Sequence, residues 1–218
     1  MNNRWFKKFF IEELSESYSS GVFSDELDKL GYNKQVINNW RINNSRNRLF
    51  GRARTMTLET IKTSNEEIGK GLGFLSSLDS GDILVVSGSN DYAYFGELMT
   101  RISVQNNLGG TIIDGLTRDT YYTQDSQYPV FAKNYSPVDI KGRGRVNELD
   151  VSIEIDGVLI RSGDYVFGDS DAVVVIPQEV LHQEYSKFND VVKQEQDIKC
   201  MISDNKSITE ILKITKEF

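Results

Sequence analysis

The chain has one cysteine, Cys200, and one histidine, His182. A single cysteine excludes an internal disulfide and any cysteine-based zinc cluster. Cys200 itself reads as a small apolar residue buried on a helix. Helical spacing sets His182 beside Gln178 and Glu179, as an exposed helix residue. With it set aside, no Ser/His/Asp nucleophilic arrangement is available. Net positive charge is also missing. The balance is -7, which argues against sequence-independent nucleic-acid binding, because that needs a basic face. The short cluster Lys141, Arg143 and Arg145 does not reverse it. Long apolar runs are absent too. The stretch Met1 to Phe10 breaks its apolar run at once, so it reads as neither a signal peptide nor a membrane span. The expectation is a cytoplasmic protein. There is no internal repeat and no low-complexity linker, and 218 residues suffice for one substantial core.

What is present is an alternation of helical and strand patterns. Trp5, Phe6, Phe9, Phe10 and Leu14 recur at helical spacing and predict an amphipathic helix within residues 1–20. Aromatic density of that order calls for packing on the core or on another subunit. Ser24, Asp25 and Glu26 predict the start of a second helix, with Gly31 ending it. Gly51 to Leu58 reads as a strand, Asn65 to Leu78 as a helix, and Ile83 to Val86 as a strand buried on both faces. A helix from Gly96 to about Asn107 is followed by a turn at Gly109-Gly110 and a strand from Thr111 to Asp114. Pro129 to Ala132 is a short strand. Asp156-Gly157, between Val151–Ile155 and Val158–Ile160, predicts a hairpin. Ala172 to Ile176 closes the strands. A helical tail covers 178–218, with Ser207-Ile208-Thr209-Glu210 as a capping box for its last helix. The whole predicts one α/β domain over residues 1–218.

The segment Gly96-Glu97-Leu98-Met99 through Arg118-Asp119 carries the most chemistry. Helix starts bind anions and carboxylates bind metal ions, so one segment brings both to a cleft. On pattern alone, Arg118-Asp119 also describes a surface ion pair at a strand end. Gly142-Arg143-Gly144-Arg145 looks like a phosphate cradle but lacks the strand-to-helix context. It reads as a loop near the site or a subunit interface, with Arg143 as a second anion contact.

Four blocks, in order, resemble the RraA-like family, named for the regulator of ribonuclease activity A and including 4-hydroxy-4-methyl-2-oxoglutarate aldolases. They are Phe23 to Asp28, Gly51-Arg52-Ala53, Gly96 through Arg118-Asp119, and Ser136-Pro137 with Gly142 to Val146. The resemblance spans roughly Gly21 to Ile198. It implies an α-β-β-α sandwich of the RraA-like swivelling-domain type, with N- and C-terminal helices. It implies homotrimers or hexamers with sites between subunits. The implied activity is a divalent-metal-dependent lyase, a class II aldolase or decarboxylase, that cleaves a small 2-oxo acid to release pyruvate. Cleavage next to a pyruvoyl group makes an enolate whose charge needs a cation or aimed donors. No Lys lies between Gly96 and Asp119 to suggest a Schiff base. The resemblance then makes Asp119 the ligand of Mg2+ or Mn2+, and Arg118 the residue holding the pyruvoyl oxygens. The amides at Gly96, Leu98 and Met99 would receive the substrate carboxylate. Glu97 matches an acid that orients metal-bound water. Glu195 aligns loosely with one donated through water by a neighbouring subunit. Where the family often has an acid three positions beyond the Asp, this chain has Tyr122. The Tyr121-Tyr122 pair is therefore a candidate contact for a longer oxo-acid or sugar-acid substrate. A further alternative is a non-enzymatic regulator that binds an RNA-degrading endonuclease complex, with no direct nucleic-acid or membrane contact.

Overall fold

The computed structural model of the chain describes residues 18–38, 40–61 and 68–215. The predicted aromatic helix and the predicted helix start at Asn65 lie outside them. Helix α1 (Ser20–Lys29) begins earlier than Ser24. Ser19 caps it, its Oγ accepting from the Val22 N–H at 3.3 Å. Val22, Phe23 and Leu27 are buried, so extending the helix back through Val22 buries one more apolar side chain. Gly31, at φ +88°, ends it in the left-handed turn that glycine adopts without penalty. The Tyr32 N–H donates to Leu27 O at 2.8 Å and the Gly31 N–H to Asp28 O at 2.9 Å.

Strands β1 (Val36–Ile37), β2 (Arg41–Ile42) and β3 (Leu49–Thr60) follow, then helix α2 (Ile68–Ser77) and strand β4 (Ile83–Phe95). Helix α3 (Glu97–Gln105) leads to β5 (Gly110–Thr117), the one-turn α4 (Thr120–Thr123) and β6 (Val130–Tyr135). Then come β7 (Gly144–Leu149), the hairpin β8 (Ile153–Ile155) with β9 (Val158–Ile160), β10 (Tyr165–Gly168) and β11 (Val173–Ile176). Helices α5 (Gln178–Ser203) and α6 (Ile208–Thr215) end the described chain. The sheet runs β1-β11-β10-β3-β4-β5-β6-β2, with β7 also on β3. Its centre, β3 to β6, is parallel.

Twelve-residue β3 belongs to both halves of the sheet. Its first residues pair with β10 and its middle with β4. Side chains alternate across a strand, so each half feeds two cores. Val166, Val173 and Val175 face Ile83, Val85, Ile112 and Phe131 between the halves. Phe167, Val174 and Ile176 face Phe23, Leu181 and Phe188 of α1 and α5. Leu84, Val86 and Ile113 face Phe74 and Leu75 of α2, with Met99 and Ile102 of α3 packed on them. The result is the α-β-β-α sandwich expected from the resemblance. Among the described residues no helix is long and apolar enough to cross a membrane.

The predicted hairpin forms with Asp156 and Gly157 both at positive φ, as a two-residue turn of this kind requires. The capping box forms as well. Ser207 Oγ accepts from the Glu210 N–H at 3.3 Å, and Glu210 Oε2 accepts from the Ser207 N–H at 2.9 Å. Two expectations are corrected. Only the first residues of Gly142-to-Arg145 are a turn; Gly144 opens β7, antiparallel to β3 through Thr60↔Gly144 and Leu58↔Val146. Val146 is the one buried residue of that strand, too little for a period-two signal. Cys200 is exposed. The buried residues of α5 end at Val192, so its last three turns leave the core.

Candidate active site

Strands β4 and β5 are parallel neighbours, and Phe95 pairs with Thr117 at their C-terminal ends. Phe95 O accepts from Thr117 Oγ1 at 2.7 Å and from the Arg118 N–H at 3.0 Å. The chain therefore leaves both strands side by side, placing Gly96 against Arg118 and Asp119. Crevices beyond the carboxyl ends of parallel strands are where such folds bind ligands.

Asp119 has φ +59° and ψ +45°, a left-handed conformation that Asp tolerates better than most residues. Its Oδ2 accepts the backbone N–H of Glu97, the first residue of α3, at 2.9 Å. The carboxylate thus caps α3 from another element and lies at the positive end of its dipole. Gly96 is what permits this. A Cβ there would stand 2.4 Å from Asp119 Oδ2 and 2.9 Å from Arg118 Cγ. The N–H groups of Leu98 and Met99 follow in the first turn, where no carbonyl of the helix can reach them.

Arg118 sits between two carboxylates, with Nη1 3.1 Å from Asp139 Oδ2 and Nε 3.7 Å from Asp119 Oδ2. Asp139 is held by a parallel bridge to Ala93, whose N–H donates to Val138 O at 2.7 Å. Nothing in the local sequence marks Asp139: it is one acid in a loop, three residues past Ser136, and only the bridge to β4 aims it at Arg118.

Glu97 is engaged at both oxygens. Oε1 accepts from Arg101 Nε at 2.8 Å, and Oε2 accepts from the Tyr121 hydroxyl. The Tyr121 hydrogen bond and then Arg101 hold its carboxyl below the usual range. The Arg101 guanidinium lies 4.3 Å from the centre of the Tyr122 ring. Tyr122 is thus occupied by Arg101, and Tyr121 is the member of the pair that lines a cavity with Asp119.

Arg118 lines two cavities. One, of about 410 Å³, is also bounded by Asp119, Thr120, Tyr121, Tyr135, Ser136 and Pro137. The other, of about 320 Å³, is bounded by Leu98, Met99, Tyr94, Ile102 and Ile140 among others. Burial pushes the Tyr94 phenol above its ordinary value, so it stays neutral at physiological pH.

Gly96, Glu97, Leu98, Met99, Arg118 and Asp119 therefore come together within one chain. Glu195 does not join them: it is on α5, 3.0 Å from Lys199 Nζ. Arg143 donates to the carbonyls of Asp139 and Lys141, within the loop that carries Asp139. His182 is exposed, with its ring against Tyr165.

Among the described residues no three His, Cys, Asp or Glu side chains cluster, so a zinc-type cage is not built here. Mg2+ keeps several waters and needs only one or two protein carboxylates beside substrate oxygens. Asp119 fits that demand. Its Oδ2 is anchored by an amide, and its Oδ1 has no protein partner among the described residues.

Comparison with known proteins agrees with the fold. Protein DlpA of Legionella pneumophila is 24% identical over 192 residues, 87% of this chain. The chain spans only 31% of DlpA. A Halorhodospira halophila protein named "Putative 4-hydroxy-4-methyl-2-oxoglutarate aldolase" is 34% identical over 108 residues, covering 49% of this chain and 65% of that protein. The crystal structure of Streptomyces coelicolor RraAS2, described as an unusual member of the RNase ES inhibitor RraA protein family, superposes with a TM-score of 0.68. It is 24% identical and covers 88% of this chain and 93% of its own. Residues 21–175 match the RraA-like family, described as Aldolase/RraA, and the chain belongs to that family.

Proposed function

We propose that this protein is a divalent-metal-dependent lyase that cleaves a 2-oxo acid and releases pyruvate. The observation that carries the reading is the anchoring of Asp119 on the Glu97 N–H, with Arg118 emerging beside it between two cavities. Names among the relatives support an aldolase type of reaction. In this reading the Leu98 and Met99 amides bind the substrate carboxylate, helped by the α3 dipole. Arg118, held at Nη1 by Asp139, turns its other donors to the pyruvoyl oxygens, and its planar fork stabilises negative charge as the carbon–carbon bond breaks. Asp119 holds Mg2+ or Mn2+, which supplies Lewis-acid polarisation of the 2-oxo group when bound. Glu97 keeps Arg101 and Tyr121 in place, and through Tyr121 the wall of the cavity beside Asp119. Glu195 enters only from a neighbouring subunit of a trimer or hexamer, the assembly we assign to the protein.

The test is release of pyruvate from 4-hydroxy-4-methyl-2-oxoglutarate or oxaloacetate with Mg2+, followed by a coupled lactate dehydrogenase assay. Release is expected to vanish with EDTA and in Asp119→Ala. Release that survives both overturns the mechanism. No release from either substrate, with recovery of a ribonuclease complex on the purified protein, favours the regulator reading, in which the acidic surface masks a basic segment.

A further inference from the structure

We propose that the substrate of this site carries an apolar substituent on C4, held in the cavity beside Arg118. The inference rests on the lyase reading above and names its substrate class. The cavity, about 320 Å³, is the size of a small-ligand pocket. Its walls include Ile61, Leu72, Tyr94, Ile102, Ile140 and Val146. Tyr94 is neutral, and its hydroxyl is 3.8 Å from the Met56 sulfur, a weak acceptor. The charged groups on this cavity are paired or lie toward water: Arg118 and Asp139, both on its wall, pair with each other, Arg145 pairs with Glu59 at 2.5 Å, and Lys141 is exposed.

The same cavity is bounded by Leu98, Met99 and Arg118, the residues that would grip the oxo-acid head. A substrate anchored there has two ways to extend. The cavity beside Asp119 and Ser136 suits a polar group and hydrated ions. The other, walled mainly by apolar side chains, offers an apolar substituent a place out of water. The substrate is therefore a 4-hydroxy-2-oxo acid with an alkyl or aryl group on C4. On cleavage the C3–C4 bond breaks and its electron pair stays on C3 as the pyruvate enolate. The C4 hydroxyl gives up its proton and becomes the carbonyl of an apolar aldehyde or ketone. A proton added at C3 completes pyruvate.

The experiment compares kcat/KM for 4-hydroxy-2-oxo acids bearing methyl or hexyl on C4, with Mg2+. Each buried methylene is worth about fourfold, so the hexyl substrate should be favoured at least about 100-fold. Ile102→Trp and, from α2, Leu72→Phe fill the cavity and should each cut that preference by about tenfold or more. Circular dichroism identifies any variant that fails to fold. Calorimetry with 2-oxopentanoate and 2-oxodecanoate, the same two chains without the C4 hydroxyl, reads the same preference without turnover. Equal kcat/KM or equal Kd for the two lengths overturns the inference and leaves the lyase reading intact. Tight binding of 2-oxodecanoate with no pyruvate from either substrate overturns the lyase reading and keeps the cavity assignment.

Discussion

The Asp119 carboxylate caps a helix to which it does not belong: its Oδ2 accepts the Glu97 N–H at 2.9 Å across 22 residues of sequence. One contact thereby fixes both the start of α3 and the direction of the candidate metal ligand.

Asp119→Asn separates those roles. Asn caps helices as well as Asp and tolerates the left-handed backbone. Stability by chemical denaturation should change by less than about 1 kcal/mol. Pyruvate release should fall at least about 100-fold, because the metal loses its charged ligand. Asp119→Ala should lose both, with a cost near 1 kcal/mol for the missing cap.

Gly96→Ala tests the close approach. The Gly96 backbone, at φ -162°, is extended and open to any residue. The cost is therefore steric, from a Cβ 2.4 Å from Asp119 Oδ2. Destabilisation of about 1–3 kcal/mol is expected, together with loss of Mg2+ affinity in calorimetry as the carboxylate is pushed aside.

Arg118→Lys keeps the charge and removes the fork. It should lower kcat/KM at least about 100-fold. Asp139→Asn should leave stability nearly unchanged, since a partly exposed pair is worth at most about 1 kcal/mol. It should lower kcat more than it changes KM, because Asp139 positions Arg118 without touching substrate. A KM effect alone would refute that role.

The Tyr121 hydrogen bond is the largest cause of the lowered Glu97 pKa. A depressed folded-state value contributes stability above the unfolded value and loses it as pH falls through the folded one. The Glu97–Arg101–Tyr121 cluster should therefore hold at neutral pH and come apart only below the ordinary Glu value of 4.5. Tyr121→Phe should raise the Glu97 pKa toward 4.5 in a carboxylate NMR titration. An unchanged titration would remove Tyr121 as the cause.

Much of this was legible in the sequence wherever the deciding forces are local. The Ser207–Glu210 box, the Gly31 stop and the Asp156-Gly157 hairpin each close within six residues, so their residue types specify them. The continuous apolar run Val173 to Ile176 specifies a strand buried on both faces. The block from Gly96 to Asp119 announces a helix start and a charged pair in the same way. Which groups meet was decided only by the tertiary structure. The β4–β5 register brings Gly96 under Asp119, and the bridge at Ala93 brings Asp139 to Arg118. The stacking of Arg101 on Tyr122 leaves Tyr121 at the cavity. Strand β7 forms because β3 has an edge to offer, although only Val146 of that strand is buried. Local hydrogen bonds and hydrophobic period are written into a few adjacent residues. Contacts between distant segments depend on register and on the loop that closes them, and these exist only once the sheet has formed.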